Sequence, residues 1–239
     1  MSSLPASVRI VEVGARDGLQ NQSSDVSTLH KVALIERLCD AGIKHVEAGA
    51  FVSPKWVPMM ADSAEIMALI KRRDDVIYST LTPNVKGMEA AIQANANEIA
   101  VFISATESFS QKNTNCSIAE ALVRAEPVVA LAKENGIRVR GYISCVLGCP
   151  WEGDDIDPSR IADLTALLLD MGCFEVSLGD TIGRGTPGKV TRLINEISKQ
   201  ADVSQLAAHF HNTYGQALAN IYAALASGIS VIDSSVAGL

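Results

Sequence analysis

The residues best suited to chemistry in this sequence are two histidines, His209 and His211, separated by Phe210. Successive side chains of a β-strand point to opposite faces, so the two imidazoles would lie on one face and the phenyl ring on the other. Neutral imidazoles are good ligands for divalent metals, and two of them on one face provide half of a metal site. The alternative is a pair of polar residues held by hydrogen bonds in a core. A carboxylate that can reach both rings would favour the metal site.

The elements that must position these histidines follow a regular alternation of short apolar runs and longer helical patterns. The predicted strands cover residues 8–13, 43–47, 76–81, 98–104, 138–145, 174–177, 205–211 and 231–235. The predicted helices cover residues 27–41, 63–72, 85–94, 118–135, 158–170, 188–200 and 216–226. Eight strands alternating with seven helices are typical of an α/β fold of the (β/α)8 TIM-barrel type. An open doubly wound sheet is less favoured, because residues 14–18 (GARDG) lack the spacing of its glycine-rich phosphate turn.

The sequence stops at Leu239, directly after the eighth predicted strand. A TIM barrel would continue there into its eighth helix. We therefore expect residues 1–239 to form a single TIM-barrel catalytic domain that is truncated after the eighth strand and lacks its C-terminal helix.

Active sites of TIM barrels lie at the carboxyl ends of the strands, and polar residues gather there in this sequence. Asp17 follows the first predicted strand, whereas the two histidines end the seventh. One strand would separate these two, which places their backbones about 10 Å apart, so the three side chains could meet at one ion. A carboxylate and two imidazoles suit Mg²⁺ or Mn²⁺ when waters or a chelating substrate complete an octahedron, and zinc also accepts these ligands.

Three further charged residues at strand ends have two interpretations each. Arg16 is either an ion-paired surface arginine or, beside the carboxylate of Asp17, a cation placed to neutralise a developing oxyanion. Glu47 is either a loop carboxylate or a site residue. Asp180, in the sequence Leu-Gly-Asp-Thr, is either a turn residue or a site residue.

Composition and charge narrow the classes of partner. Hydrophobic residues make up 48% and charged residues 20% of the chain, which indicates a soluble globular protein. The net charge of −7 argues against a general nucleic-acid binder. No apolar run approaches the ~20 residues that span a bilayer, so we expect no membrane partner. The first residues lack the features of a signal or transit peptide, which predicts a cytoplasmic protein.

The five cysteines do not predict a disulfide framework. Their number is odd and their spacing irregular: Cys39, Cys116, Cys145, Cys149 and Cys173. Most of them are expected to be small buried residues in a reducing compartment.

Several of these stretches together resemble the hydroxymethylglutaryl-CoA lyases, a family of metal-dependent TIM-barrel lyases related to condensing enzymes. The stretches are residues 14–22 (GARDGLQNQ), 46–58 (VEAGAFVSPKWVP), 141–150 (GYISCVLGCP), 177–183 (SLGDTIG) and 209–215 (HFHNTYG). The Arg-Asp-Gly and His-x-His pieces are typical of the whole superfamily, whereas the longer stretches are specific to the lyases. The resemblance runs from about residue 8 to the end of the chain.

The resemblance implies retro-Claisen cleavage of (S)-3-hydroxy-3-methylglutaryl-CoA, an acyl-CoA thioester, to acetoacetate and acetyl-CoA. It implies that Asp17, His209 and His211 hold the divalent cation, Mg²⁺ or Mn²⁺. It also implies that Arg16 faces the thioester and enolate oxygen, with Gln20 beside it in substrate binding. The acid/base candidates are Glu47 and Asp180, with His209 as a third. The family also tends to form homodimers, and we guess Lys55 and Arg140 as contacts of the CoA moiety.

One departure from the family bears on activity. These lyases carry a glycine-rich loop with a reactive cysteine and an asparagine metal ligand shortly after the eighth strand, where this sequence ends. We therefore expect the 239-residue chain by itself to be weakly active or inactive.

Two other functions remain open. A condensing enzyme such as an isopropylmalate or homocitrate synthase would join acetyl-CoA to a 2-oxo acid, but such enzymes usually carry Glu at the position of Leu19, before Gln20. A non-catalytic barrel that binds acyl-CoA or metal is the second alternative.

Overall fold

Eight strands with buried residues on most positions alternate with helices along the chain, as the apolar runs predict. The computed structural model describes residues 4–22 and 24–239. The strands are β1 (Arg9–Glu12), β2 (His45–Ala50), β3 (Ile77–Leu81), β4 (Glu98–Ser104), β5 (Arg138–Ser144), β6 (Glu175–Asp180), β7 (Leu206–Phe210) and β8 (Val231–Ser234). Their order is that of a closed barrel, β1 to β8 in sequence. The pairs β1–β2, β2–β3, β3–β4, β5–β6, β6–β7 and β7–β8 are parallel. The predicted (β/α)8 TIM-barrel class is confirmed.

The helices stand between the strands. They are α1 (Thr28–Asp40), α2 (Ser63–Leu69), α3 (Val85–Gln93), α4 (Glu107–Thr114), α5 (Ile118–Glu134), α6 (Pro158–Met171), α7 (Pro187–Ile197) and α8 (Ala217–Ala226). Seven of them match predicted helices within a few residues. Several begin with side-chain caps, such as Ser27, whose hydroxyl accepts the backbone N–H of His30, and Asn84, whose side chain accepts that of Gly87.

One helix, α4, is absent from the sequence-based prediction. Its sequence, ESFSQKNT, has no repeating apolar positions, and Ser110 is its one buried residue. It ends at Asn115, which adopts the left-handed conformation with φ 53°. Because the hydrophobic period is the main signal for a helix in a sequence, a polar helix of eight residues carries little of it.

The chain divides into two compact units. One contains Phe102–Glu126 and Arg140–Asp233, and the other contains Ile10–Val101, Pro127–Val139 and Ser234–Leu239. In the described part of the chain, the helices are too short or too polar for any of them to cross a lipid bilayer. All five cysteines are buried and unpaired, as their spacing predicts.

In the unit that contains β2, a close approach between strand and helix fixes the path of the strand. A Cβ atom at Gly49 would lie 2.6 Å from the Ser63 hydroxyl oxygen, so only glycine allows this contact. That hydroxyl accepts the backbone N–H of Ala50 at 3.0 Å and donates to the carbonyl of Met60 at 2.8 Å. The register between β2 and β3 shifts between Glu47 and Gly49. The strand therefore continues to Ala50, three residues beyond its predicted end.

Candidate active site

The turn that carries Arg16 and Asp17 is a π-helical segment, Gly14–Gly18, directly after β1. Single π-turns are rare and occur often at functional sites. The carboxylate of Glu12 holds this turn, because its Oε1 accepts the backbone N–H groups of Gly14 at 2.8 Å and Val236 at 2.9 Å. Burial raises the pKa of Glu12, although these hydrogen bonds oppose the shift. Glu12 was not among the site residues predicted from the sequence.

Arg16 joins the two carboxylates beside it. Its Nε lies 2.6 Å from Oε2 of Glu47, and its Nη1 lies 2.7 Å from Oδ1 of Asp17. Arg16 is 6% exposed, so the interpretation as a surface arginine is wrong. The guanidinium is instead fixed by two charge-assisted contacts in a buried place.

The sequence predicted that the second strand ends at Glu47, but the strand continues to Ala50. Glu47 is the third residue of β2, with 1% of its surface exposed, and its carboxylate pairs with Arg16. The interpretation as a loop carboxylate is therefore wrong. The end of the strand was predicted too early because Ala48, Gly49 and Ala50 are small residues with a weak preference for strands.

Two further residues, Gln20 and Lys55, were suggested as substrate contacts. Gln20 is half-buried just after the π-turn, and Lys55 is exposed in the turn that follows β2. Their role in binding stays a prediction.

The two histidines lie together at the carboxyl end of β7. The strand ends at Phe210, one residue before the predicted end, and His211 follows it. The two Nε2 atoms are 3.2 Å apart, which confirms that both imidazoles point the same way. His209 remains accessible, with 15% of its side chain exposed.

The other ring nitrogen of His209 faces a buried carboxylate on β8. Its Nδ1 lies 3.1 Å from Oδ2 of Asp233, which also accepts the hydroxyl of Ser177 at 2.8 Å. The ring of Tyr142 meets the His209 ring edge-on, with 6.3 Å between centroids. His209 is thus contacted by Tyr142 of β5 and Asp233 of β8, and Ser177 of β6 holds the Asp233 carboxylate.

Behind Asp233 lies a buried arginine. Nη2 of Arg140 is 2.7 Å from Oδ1 of Asp233, and its Nε is 2.8 Å from Oε1 of Glu175. Burial by itself raises the pKa of Asp233, but the Arg140 guanidinium and the hydrogen bond from His209 hold it well below its usual range. Arg140 is 2% exposed and fully engaged with side chains, so the guess that it contacts CoA is wrong.

A signal for this buried group was present in the sequence of β5. Arg138, Arg140 and Tyr142 alternate with Val139 and Gly141, which puts three polar side chains on one strand face. Charged residues are almost never buried unless they are paired, so an arginine within a strand pattern predicts buried acidic partners. The partners themselves, on β6 and β8, could not be chosen from the sequence.

Asp180, the last residue of β6, holds a loop. Its two carboxylate oxygens accept the backbone N–H groups of Arg184 at 3.0 Å and Gly185 at 2.8 Å. Burial raises the pKa of Asp180, and these hydrogen bonds act against the shift. The contacts match the turn interpretation, while the acid/base role stays a prediction.

Comparison with known proteins gives the family. A family model described as HMGL-like matches residues 7–239. A Pseudomonas aeruginosa protein named 3-hydroxy-3-isohexenylglutaryl-CoA/hydroxy-methylglutaryl-CoA lyase is 55% identical over 237 residues, which cover 99% of this chain and 79% of that protein.

Solved structures agree with the sequence match. The crystal structure of hydroxymethylglutaryl-CoA lyase from P. aeruginosa superposes with a TM-score of 0.96 at 55% identity, over 99% of this chain and 78% of that one. An HMG-CoA lyase from Acinetobacter baumannii, solved with coenzyme A and 3-methylmalate, gives 0.94 at 33% identity, over 100% of this chain and 78% of that one. The chain therefore belongs to the HMGL-like family, together with these hydroxymethylglutaryl-CoA lyases.

Proposed function

We propose that this protein cleaves (S)-3-hydroxy-3-methylglutaryl-CoA to acetoacetate and acetyl-CoA with a divalent cation held by Asp17, His209 and His211. One observation carries the metal site. The Nε2 atoms of His209 and His211 lie 3.2 Å apart at the carboxyl end of β7, where two ring nitrogens can share one ion. Asp17, which follows β1, is the carboxylate that the family resemblance assigns to the same ion.

The donor set fits a divalent cation. Ligands at about 2.1 Å from one ion and at right angles to each other lie about 3 Å apart. The 3.2 Å between the Nε2 atoms of His209 and His211 is close to that separation. Three protein ligands leave positions for substrate oxygens, which is the arrangement of a catalytic site rather than a structural one. The mixed nitrogen and oxygen set supports Mg²⁺ or Mn²⁺ as our proposal for the ion.

Cleavage requires that a base remove the proton of the C3 hydroxyl and that a cation stabilise the enolate oxygen of acetyl-CoA as the C2–C3 bond breaks. When bound, the metal lowers the pKa of that hydroxyl and polarises it. Arg16 is the residue we assign to the enolate oxygen, since its guanidinium is already oriented by Glu47 and Asp17 and needs little reorganisation.

The hydrogen bonds of the three acid/base candidates support a choice among them. Both oxygens of Asp180 accept loop N–H groups, and Nδ1 of His209 faces Asp233. We favour Glu47 as the acid/base residue, because it is buried directly beside Arg16, the residue that we assign to the enolate oxygen. We place Gln20 with Arg16 in substrate binding, because it follows the π-turn directly.

The acyl-CoA nature of the substrate is supported by the A. baumannii lyase, which was solved with coenzyme A at 33% identity to this chain. The homodimer and the cytoplasmic location expected from the sequence stay predictions.

The test is a coupled acetoacetate assay on the full-length gene product, with and without Mg²⁺. We expect acetoacetate from the substrate, its loss with a chelator, and its loss in Asp17→Asn. Asp25→Asn, an exposed aspartate eight residues further along, is the matched control. Acetoacetate formation that survives both the chelator and Asp17→Asn would refute the metal site. Free CoA released only from acetyl-CoA with a 2-oxo acid would favour a condensing enzyme instead.

A further inference from the structure

We propose that Asp233 is a positioning residue for His209. Its carboxylate holds the Nδ1–H of the ring and thereby keeps the Nε2 lone pair directed at the metal position. This proposal rests on the proposed metal site, and it assigns a function to a buried carboxylate on β8 that is not among the proposed metal ligands.

The geometry of the ring carries the proposal. A neutral imidazole has one protonated and one unprotonated nitrogen, and the partner of one nitrogen decides which is which. Nδ1 of His209 lies 3.1 Å from Oδ2 of Asp233, whereas its Nε2 lies 3.2 Å from Nε2 of His211. An ionised carboxylate only accepts hydrogen bonds, so it places the proton on Nδ1. Nε2 is then the ligand atom.

Asp233 is itself unable to rotate away. Oδ2 also accepts the Ser177 hydroxyl at 2.8 Å, and Oδ1 lies 2.7 Å from Nη2 of Arg140. Arg140 is fixed in turn by Glu175 at 2.8 Å. A buried carboxylate stays charged only where a cation compensates its lost hydration, and Arg140 provides that charge. The chain Glu175, Arg140, Asp233 therefore orients His209 before any metal binds.

The competing interpretation is an ion pair that serves only the packing of the barrel interior, since buried ion pairs occur for that reason as well. The chain offers a matched control for it. His45 and Glu98 form a second buried pair, with 3.0 Å between Nε2 and Oε1. Glu98→Gln and Asp233→Asn each replace one buried carboxylate beside a histidine by its amide.

The experiment measures Mn²⁺ binding by electron paramagnetic resonance and the His209 tautomer by ¹⁵N NMR of the metal-free protein. In the wild type we expect the proton on Nδ1. In Asp233→Asn the amide group can donate to Nδ1, so the Nε2–H tautomer gains population and Mn²⁺ binds roughly 10–100-fold more weakly. Glu98→Gln should leave both readouts unchanged, even where the Tm falls.

Three results would overturn the proposal. They are an Nε2–H tautomer in the metal-free wild type, an unchanged tautomer and Kd in Asp233→Asn, and an equal loss of Mn²⁺ affinity in both variants. If Asp233→Asn fails to fold, the ¹⁵N spectrum of the wild type still tests the proposal, because an Nε2–H tautomer of His209 there would overturn it. A wild type that shows the Nδ1–H tautomer but binds no Mn²⁺ would refute the proposed metal site and leave the orientation by Asp233 intact.

Discussion

Among the residues that the structure describes are two histidine–carboxylate–arginine groups of similar chemistry: His209 with Asp233 and Arg140, and His45 with Glu98 and Arg138. In the first, the carboxylate lies 3.1 Å from the ring and 2.7 Å from the guanidinium. In the second, these distances are 3.0 Å and 3.8 Å. Each group combines an imidazole, a carboxylate and a guanidinium, so these chemical groups alone do not distinguish the two.

Position and burial distinguish them. His45 and Glu98 are the first residues of β2 and β4, at amino ends of strands, where TIM barrels keep residues for stability. His209 lies near the carboxyl end of β7, and His211 follows it. The exposure of the arginines is the reverse of that of the histidines. The side chain of Arg138, in the group of the buried His45, is 56% exposed, whereas that of Arg140, in the group of the accessible His209, is 2% exposed. The group that we propose as functional thus combines a partly exposed imidazole, His209, with a buried arginine, Arg140.

The largest expected difference is between His209→Gln and His45→Gln. Loss of a ligand removes the Lewis acid, which contributes several kcal/mol, so His209→Gln should lower kcat/KM on the order of a thousandfold. His45→Gln should stay within about threefold of wild type once folded protein is quantified, because its position is structural. Steady-state acetoacetate formation with saturating Mg²⁺ measures both. Comparable losses in the two variants would remove the distinction between the groups.

The next effect concerns the arginines and stability. Arg140→Met would leave the carboxylates of Glu175 and Asp233 buried without their shared cation. Removing one partner of a buried ion pair costs about 3–5 kcal/mol of the free energy of unfolding. Urea denaturation of the metal-free protein measures this change. A loss below about 1 kcal/mol would show that water or another cation reaches these carboxylates.

Metal addition gives a smaller effect that separates the two histidine groups. Mn²⁺ at about 100 times its Kd stabilises a one-site protein by about 2.7 kcal/mol, which raises the Tm of a chain of this length by roughly 5–10 °C. The shift should persist in Glu98→Gln and disappear in His211→Gln, because only the latter removes a proposed ligand. Differential scanning fluorimetry over a Mn²⁺ series, with a chelator as the zero point, measures it. A shift retained in His211→Gln would mean that Mn²⁺ binds elsewhere.

The smallest effect is expected at Arg138. The Arg138 side chain is largely exposed, and its guanidinium lies 3.8 Å from the Glu98 carboxylate. Ion pairs with an exposed partner contribute about 0–1 kcal/mol to the free energy of unfolding. Arg138→Ala should therefore change the free energy of unfolding by less than about 1 kcal/mol and leave Mn²⁺ binding unchanged. The same urea titration as for Arg140→Met measures it. A loss as large as that of Arg140→Met would contradict the contrast in burial.

The sequence predicted the fold more completely than the site. Strong apolar periods located eight strands and seven helices, while the polar helix α4, Glu107–Thr114, was missed. The histidine pair was recognised because its spacing matches the period of a strand. Glu47 was misplaced because small residues conceal the true end of β2. Asp233 was not identified, since a single aspartate in a short strand carries no local pattern that names its partner.

The sequence by itself determined the alternation of strands and helices and placed Arg16, Asp17 and the histidine pair at strand ends, because periodicity and local motifs depend on neighbours in the chain. Tertiary structure alone decided that Arg16 is clamped between Glu47 and Asp17, and that Arg140 supports Asp233 rather than a ligand. Buried charges must find partners wherever the fold brings them, and those partners lie 31 and 93 residues away from their arginines. Contacts of that range leave no local trace in a single sequence.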